Sequence, residues 1–176
     1  TAANGPDIPA RDIVGARVGV DSVPVPLIAT EFVEESPAIS PDGEWIAYVS
    51  DESGQPEVYV RSFPNTDSVK VQVSSGGGQR PIWDQRGAQL YFVDGTSASV
   101  RRMMSAGFEE GVFATPSPLF QLPDGFITGR GSDFFDVTPD GQRFLMARAR
   151  PLGSESRLSL VVVQNFFTEM ARSLPQ

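Results

Sequence analysis

Apolar and polar positions alternate along this chain in runs of four to seven residues, and nearly every run stops at a proline, glycine or aspartate. That rhythm predicts many short strands joined by tight turns. Ser36 to Ser40 reads as a strand, with Pro41-Asp42-Gly43 as the turn after it. Proline suits the second turn position and glycine supplies a left-handed backbone there. Trp45 to Val49 is apolar at both parities, Ile46 and Tyr48 against Trp45, Ala47 and Val49. A strand of that kind is covered on both faces. Asp51-Glu52-Ser53-Gly54 turns the chain, Glu57 to Ser62 returns, and Lys70 to Val73 is a fourth strand. Ser74 to Gly78 reads as a flexible link to the next unit.

The plan then repeats. Arg80 to Trp83 and Gln89 to Val93 pair through Asp84–Ala88, Asp94-Gly95 turns, and Val100 to Ser105 and Pro118 to Leu122 follow. Residues 123–133 form the longest loop. A third unit has Phe134 to Val137, Gln142 to Arg148 and Arg157 to Val163. The turn glycines stand at 43, 87 and 141, spaced 44 and 54 residues apart. Strand-and-turn repeats of roughly 40–50 residues are the mark of β-propeller blades. The expected fold is therefore all-β: a partial, open β-propeller of two to three antiparallel blades with a short C-terminal helix.

The ends read differently. Residues 1–26 are broken by Pro6, Pro9, Pro24 and Pro26 and by glycines, while Val18, Val20, Val23 and Val25 favour extended pieces. They are expected to be an extended arm. Residues 27–164 carry the blades, and 165–176 a capping helix and tail. Asn165 is a good N-cap, and Phe166, Phe167, Met170 and Ala171 share one face of the helix. So short a helix must pack on something, and the open edge of the last blade is the expected place.

Composition narrows the chemistry. The chain has 176 residues, 40% hydrophobic, and a formal net charge of −8. That charge opposes binding to nucleic acid or to an anionic membrane surface. There is neither cysteine nor histidine, which removes thiolate chemistry, histidine or cysteine zinc sites and the commonest general base. No run reaches the roughly 18–20 apolar residues that span a bilayer as a helix.

Candidate sites reduce to structural roles. Asp42 and Asp140 occupy equivalent turns, where aspartate bonds its own backbone. Asp51-Glu52 lacks the ligand spacing of a calcium loop. Ser74 to Arg80 lacks the lysine and following helix of a phosphate loop. Ser36, Ser40 and Ser132 have no histidine to activate them. The aromatics Trp45, Tyr48, Trp83, Tyr91, Phe92, Phe134, Phe135 and Phe144 stand at repeat-equivalent strand positions and read as core. No catalytic, metal or cofactor residue emerges. Partner-contact candidates are Val18, Val20, Val23 and Val25 in the arm. Arg101, Arg102, Met103 and Met104 join them, since two cations and two adaptable thioethers share one short strand.

The Ser40-Pro41-Asp42-Gly43 turn followed by an apolar strand resembles the TolB-type, WD-related β-propeller repeat. Glu35 to Gly43, Val60 to Pro64, Val71 to Gly78 and Phe135 to Leu145, with the closing Val162 to Glu169, are similar to the last blades of propellers attached to bacterial serine/threonine kinases. The resemblance spans about residues 27–172. Closed propellers of this type usually have about six or more blades, so two to three leave edges and faces for another chain to cover. The resemblance implies a non-catalytic scaffold or interaction subunit, extrinsic to the membrane on its periplasmic or extracytoplasmic side. It would bind other protein subunits of a larger assembly, a photosynthetic reaction-centre and antenna complex among the possibilities. The alternative is a sensor or ligand-binding fragment of a kinase-type receptor.

Overall fold

The structure, a computed structural model, describes residues 11–94, 101–122, 135–148 and 159–163. All of its regular elements are strands. A two-stranded hairpin, β1 (Ile13–Gly15) and β2 (Val25–Ile28), precedes the first blade. That blade runs β3 (Glu34–Ile39), β4 (Trp45–Ser50), β5 (Glu57–Ser62) and β6 (Lys70–Gln72), antiparallel and in chain order. The second begins with β7 (Gly78–Trp83), β8 (Gln89–Asp94) and the long β9 (Arg102–Glu109). Two further strands, β10 (Val112–Phe113) and β11 (Ser117–Gln121), pair along different stretches of β9. The third holds β12 (Phe135–Val137), β13 (Phe144–Arg148) and β14 (Ser159–Val163). These are the sheets of three antiparallel blades, as the repeat predicts. The expected C-terminal helix lies outside the described residues, as does Phe134.

The blades stack face to face. Ala47, Val49, Val58 and Val60 of blade 1 pack on Trp83, Leu90, Phe92 and Ala106 of blade 2. Tyr91, Val93 and Met103, on the opposite face of blade 2, pack on Phe135, Val137, Phe144 and Met146 of blade 3. Successive residues of a strand point to opposite faces, so a blade between two neighbours needs apolar residues at both parities. This explains the unbroken apolar run in β4.

The far face of blade 1 corrects the reading of residues 1–26. Their described part is no free arm, and the boundary at 26 falls inside β2. Ile13 and Ile28 are buried against Ile46, Tyr48 and Tyr59. Thr66 Oγ1 donates to Leu27 O at 2.9 Å, Glu34 N donates to Arg11 O at 2.8 Å, and Arg11 pairs with Glu35. The physical reason is the apolar parity of Ile46 and Tyr48, which needs cover that blade 2 cannot supply.

The glycine-rich link at 74–78 is also corrected. Glu57 is 1% exposed; its carboxylate accepts from Ser74 Oγ, from Gly77 N at 2.8 Å and from Gln55 Nε2 at 2.6 Å. Ser74 Oγ in turn accepts from Val58 N at 2.8 Å. The segment is a fastened junction, because a buried carboxylate must be saturated with donors.

Candidate functional site

Two surfaces stand out once the blades are in place. The first is an axial cleft of about 620 Å³, lined by the inner strands of all three blades. Ser36, Pro37 and Ala38 of β3 face Arg80, Pro81 and Ile82 of β7, with Phe135 and Asp136 of β12 and Leu145 to Ala147 of β13 closing the far side. Ser36 and Arg80 are repeat equivalents, seven residues before their turn glycines, and both are left-handed, with φ of 56° and 55°. Each precedes a proline, and each sits in a β-bulge that breaks the register of its strand. A left-handed conformation at a residue other than glycine costs on the order of 1–3 kcal/mol. Bulges bend a strand and re-aim its side chains, often beside functional sites. Proline also removes an edge donor, so the inner edges of β3 and β7 are poor templates for strand addition. The dipeptides Ser36-Pro37 and Arg80-Pro81, in step with the repeat, were the available sequence signal for this cleft.

The second surface is the β1–β2 hairpin. Val18 is 101% exposed, and Val14, Val20, Val23 and Val25 lie between 51% and 68%. These valines stand on a braced turn. Arg17 Nε and Nη2 donate to the Asp21 carboxylate at 3.0 and 2.7 Å, and Arg17 N donates to it at 2.7 Å. Val20 N and Asp21 N both return to Arg17 O. Hydrogen bonding from Arg17, side chain first and then backbone, holds the Asp21 carboxyl below its ordinary pKa. The same bond raises the Arg17 guanidinium. The turn therefore displays apolar side chains while its own charges cancel.

The strand Arg101 to Met104 does not join either surface as a unit. β9 is interior, with β8 on one edge and β11 on the other. Met103 is fully buried in the core shared with blade 3, and Met104 packs on the core between blades 1 and 2. Both methionines are thus spent on packing, which corrects the expectation that they contact a partner. Arg102 is exposed, its backbone N donating to Asp94 at 2.7 Å and its Nε lying 3.3 Å from the same carboxylate. Arg101 is half-buried, and its carbonyl accepts from Leu122 N.

The turn aspartates do what their position predicts. Asp42 accepts from Ser40 Oγ and from Glu44 N; Asp140 accepts from Thr138 Oγ1 and from Gln142 N. These bonds, the hydroxyl first, hold both carboxyls below the ordinary value. Asp51 accepts from Val33 N, and Glu52 pairs with Lys70. Among the described residues no group of three or more histidine, cysteine, aspartate or glutamate side chains is placed to hold a metal ion. Trp83, Tyr91, Phe92, Tyr48 and Phe144 are buried core residues. Trp45 is half-buried, edge-on to Phe108 at 5.2 Å between centroids.

No family model matches the chain. It is 41% identical over 56 residues to the Tol-Pal system protein TolB of Alcanivorax borkumensis, a match covering 31% of this chain and 13% of that protein. A solved TolB structure from Agrobacterium tumefaciens aligns with a TM-score of 0.56 at 12% identity, over 81% of this chain and 49% of that one. Oligogalacturonate lyase from Vibrio parahaemolyticus aligns at 0.57 with 14% identity, over 92% of this chain and 46% of the lyase. The chain thus spans about half the length of these structures. Its fold is that of a TolB-like β-propeller, in partial form.

Proposed function

We propose that this chain is a non-catalytic interaction subunit that stabilises a larger protein assembly. The braced valine hairpin carries the reading. Isolated exposed apolar residues are ordinary on protein surfaces, but a cluster on one rigid feature marks a contact. A turn already fixed by Arg17 and Asp21 loses little freedom on docking, which favours affinity. The TolB-like fold supports protein–protein contact as the mode of action and a place on the extracytoplasmic side of the membrane. The net charge of −8 favours docking to membrane-embedded protein over the anionic bilayer itself. Among the described residues no helix is long and apolar enough to cross a membrane. The assembly in view is membrane-embedded, of the kind formed by a photosynthetic reaction centre with its antenna.

The test is co-purification from native membranes in mild detergent, with mass spectrometry of what is retained. The variant carries Val18→Ser, Val20→Ser and Val23→Ser together. Burial of a valine is worth about 1.5 kcal/mol or more, roughly tenfold in affinity each. The variant is expected to lose its partners while melting at the parent temperature. Full retention of the same partners would remove the hairpin from the contact.

A further inference from the structure

The repeat places Ile39, Trp83 and Val137 at one equivalent point, each four residues before its turn glycine. Each pairs across to the next strand, with Ile46, Leu90 and Phe144 respectively. Those three partners are all buried, at 2% exposure or less. The inner positions differ. Trp83 is 6% exposed and Val137 8%, but Ile39 is 53% exposed. Trp83 is covered by the inner strands of blade 1, its Nε1 donating to Ala38 O at 3.1 Å. Burial on the outward face of blade 1 therefore stops between β4 and β3.

Chain order explains where it stops. Blade 1 runs from β3 at the cleft outward to β6 before passing to β7. The hairpin passes directly to β3, so β1 and β2 stand where the two outer strands of a preceding blade stand. They cover Ile46 and Tyr59 and leave Ile39, and no described strand pairs with the inner edge of β1.

We propose that Ile39 and the inner edge of β1 form a docking site for a β-hairpin of a partner protein, which supplies the two inner strands of this blade. It rests on the interaction-subunit reading and names the chemistry of one contact. Paired strands suit the site because β1 offers unpaired backbone groups and Ile39 an uncovered apolar side chain. The face is continuous with the one the β1–β2 hairpin already covers. Pro37 and the bulge at Ser36 keep the edge of β3 from taking a strand, so the incoming pair must lie over the face, inside β1. The side chain facing Ile39 should be small and apolar, as Ala38 is beside Trp83. Residues 1–10 are poorly suited, since Pro6 and Pro9 have no amide to donate. A second copy would bring another charge of −8 to the contact, which opposes self-association.

The chain has no cysteine, so Ile39→Cys introduces a single thiol, and Val112→Cys, at a position 70% exposed on blade 2, serves as the control. The probe is a synthetic peptide of residues 34–50, the β3–β4 hairpin that covers Trp83 in this fold. Iodoacetamide labelling at position 39 should slow saturably, roughly tenfold near full occupancy, with position 112 unchanged. In the unaltered chain, amide exchange at Val14 and Gly15 should slow with the same peptide. Equal rates with and without peptide at both position 39 and these amides would overturn the proposal, as would equal slowing of both thiols. Slowing that follows the concentration of the chain itself, without peptide, would assign the site to a second copy and overturn it too. Absence of protection alongside intact native co-purification would reject this site and leave the interaction-subunit reading standing.

Discussion

Gly78→Ala tests whether the link between blades 1 and 2 is rigid. A Cβ at that position would lie 2.2 Å from Ser74 Oγ, 2.8 Å from Ser74 Cβ and 2.9 Å from Val58 Cγ2. Neither neighbour can move freely. Val58 is fully buried, and Ser74 Oγ is held between the Glu57 carboxylate and Val58 N. Overpacking of a tight core costs about 1–3 kcal/mol. Displacing the serine hydroxyl leaves a buried carboxylate short of a donor, about 1–3 kcal/mol more. Alanine returns about 0.4–1 kcal/mol by restricting the unfolded chain, leaving a net loss of about 2–4 kcal/mol. Urea denaturation followed by tryptophan fluorescence reads this directly, since Trp83 sits in the core beside the junction. Gly43→Ala is the comparison, with φ of +75° and nothing within 4 Å of its added Cβ; conformation alone should cost it about 1–2 kcal/mol. If Gly78→Ala is no worse than Gly43→Ala, the packed-junction account is wrong.

Gly43→Val should lower stability by about 1–3 kcal/mol, because a β-branched residue resists the left-handed turn; an unchanged melt would contradict the turn geometry. Trp83→Phe should lose about 0.5–1.5 kcal/mol with the bond to Ala38 O, and a loss confined to that range in chemical denaturation would mark the bond rather than a cavity. Asp21, Asp42 and Asp140 all have folded pKa values below the ordinary one. Their stabilisation is therefore complete above the ordinary carboxylate range, near about pH 4, and is lost as pH falls through the lowered folded values. Melts across an acid series should be flat down to that range and then decline, and Asp42→Asn with Asp140→Asn should flatten part of the decline.

Strand order and turn chemistry were legible because they are local. The Pro41-Asp42-Gly43 turn and its equivalents announce themselves through residue types that few other conformations require. Glu57–Ser62 is observed at its expected bounds, and Trp45–Ser50 and Gln89–Asp94 each run one residue further. Less visible was the short β10, two residues whose apolar character serves the aromatic cluster of Trp83, Phe108 and Phe113. The methionines of β9 misled for a related reason. Alternation shows which residues share a face, but it cannot show that β11 closes the other edge of that strand.

The sequence by itself determined the repeat, the all-β class, the apolar character of both faces of β4 and the structural duty of the turn aspartates. All of these depend on periodicity and on conformational preferences within a few residues. Tertiary structure decided which faces find cover. Val14 is exposed and Ile13 buried although both are apolar neighbours in one strand, because only one parity meets blade 1. Ile39 and Trp83 hold the same place in the repeat, yet one is open and the other closed. Burial is a property of the neighbour that arrives, and which neighbour arrives depends on contacts far apart in the chain.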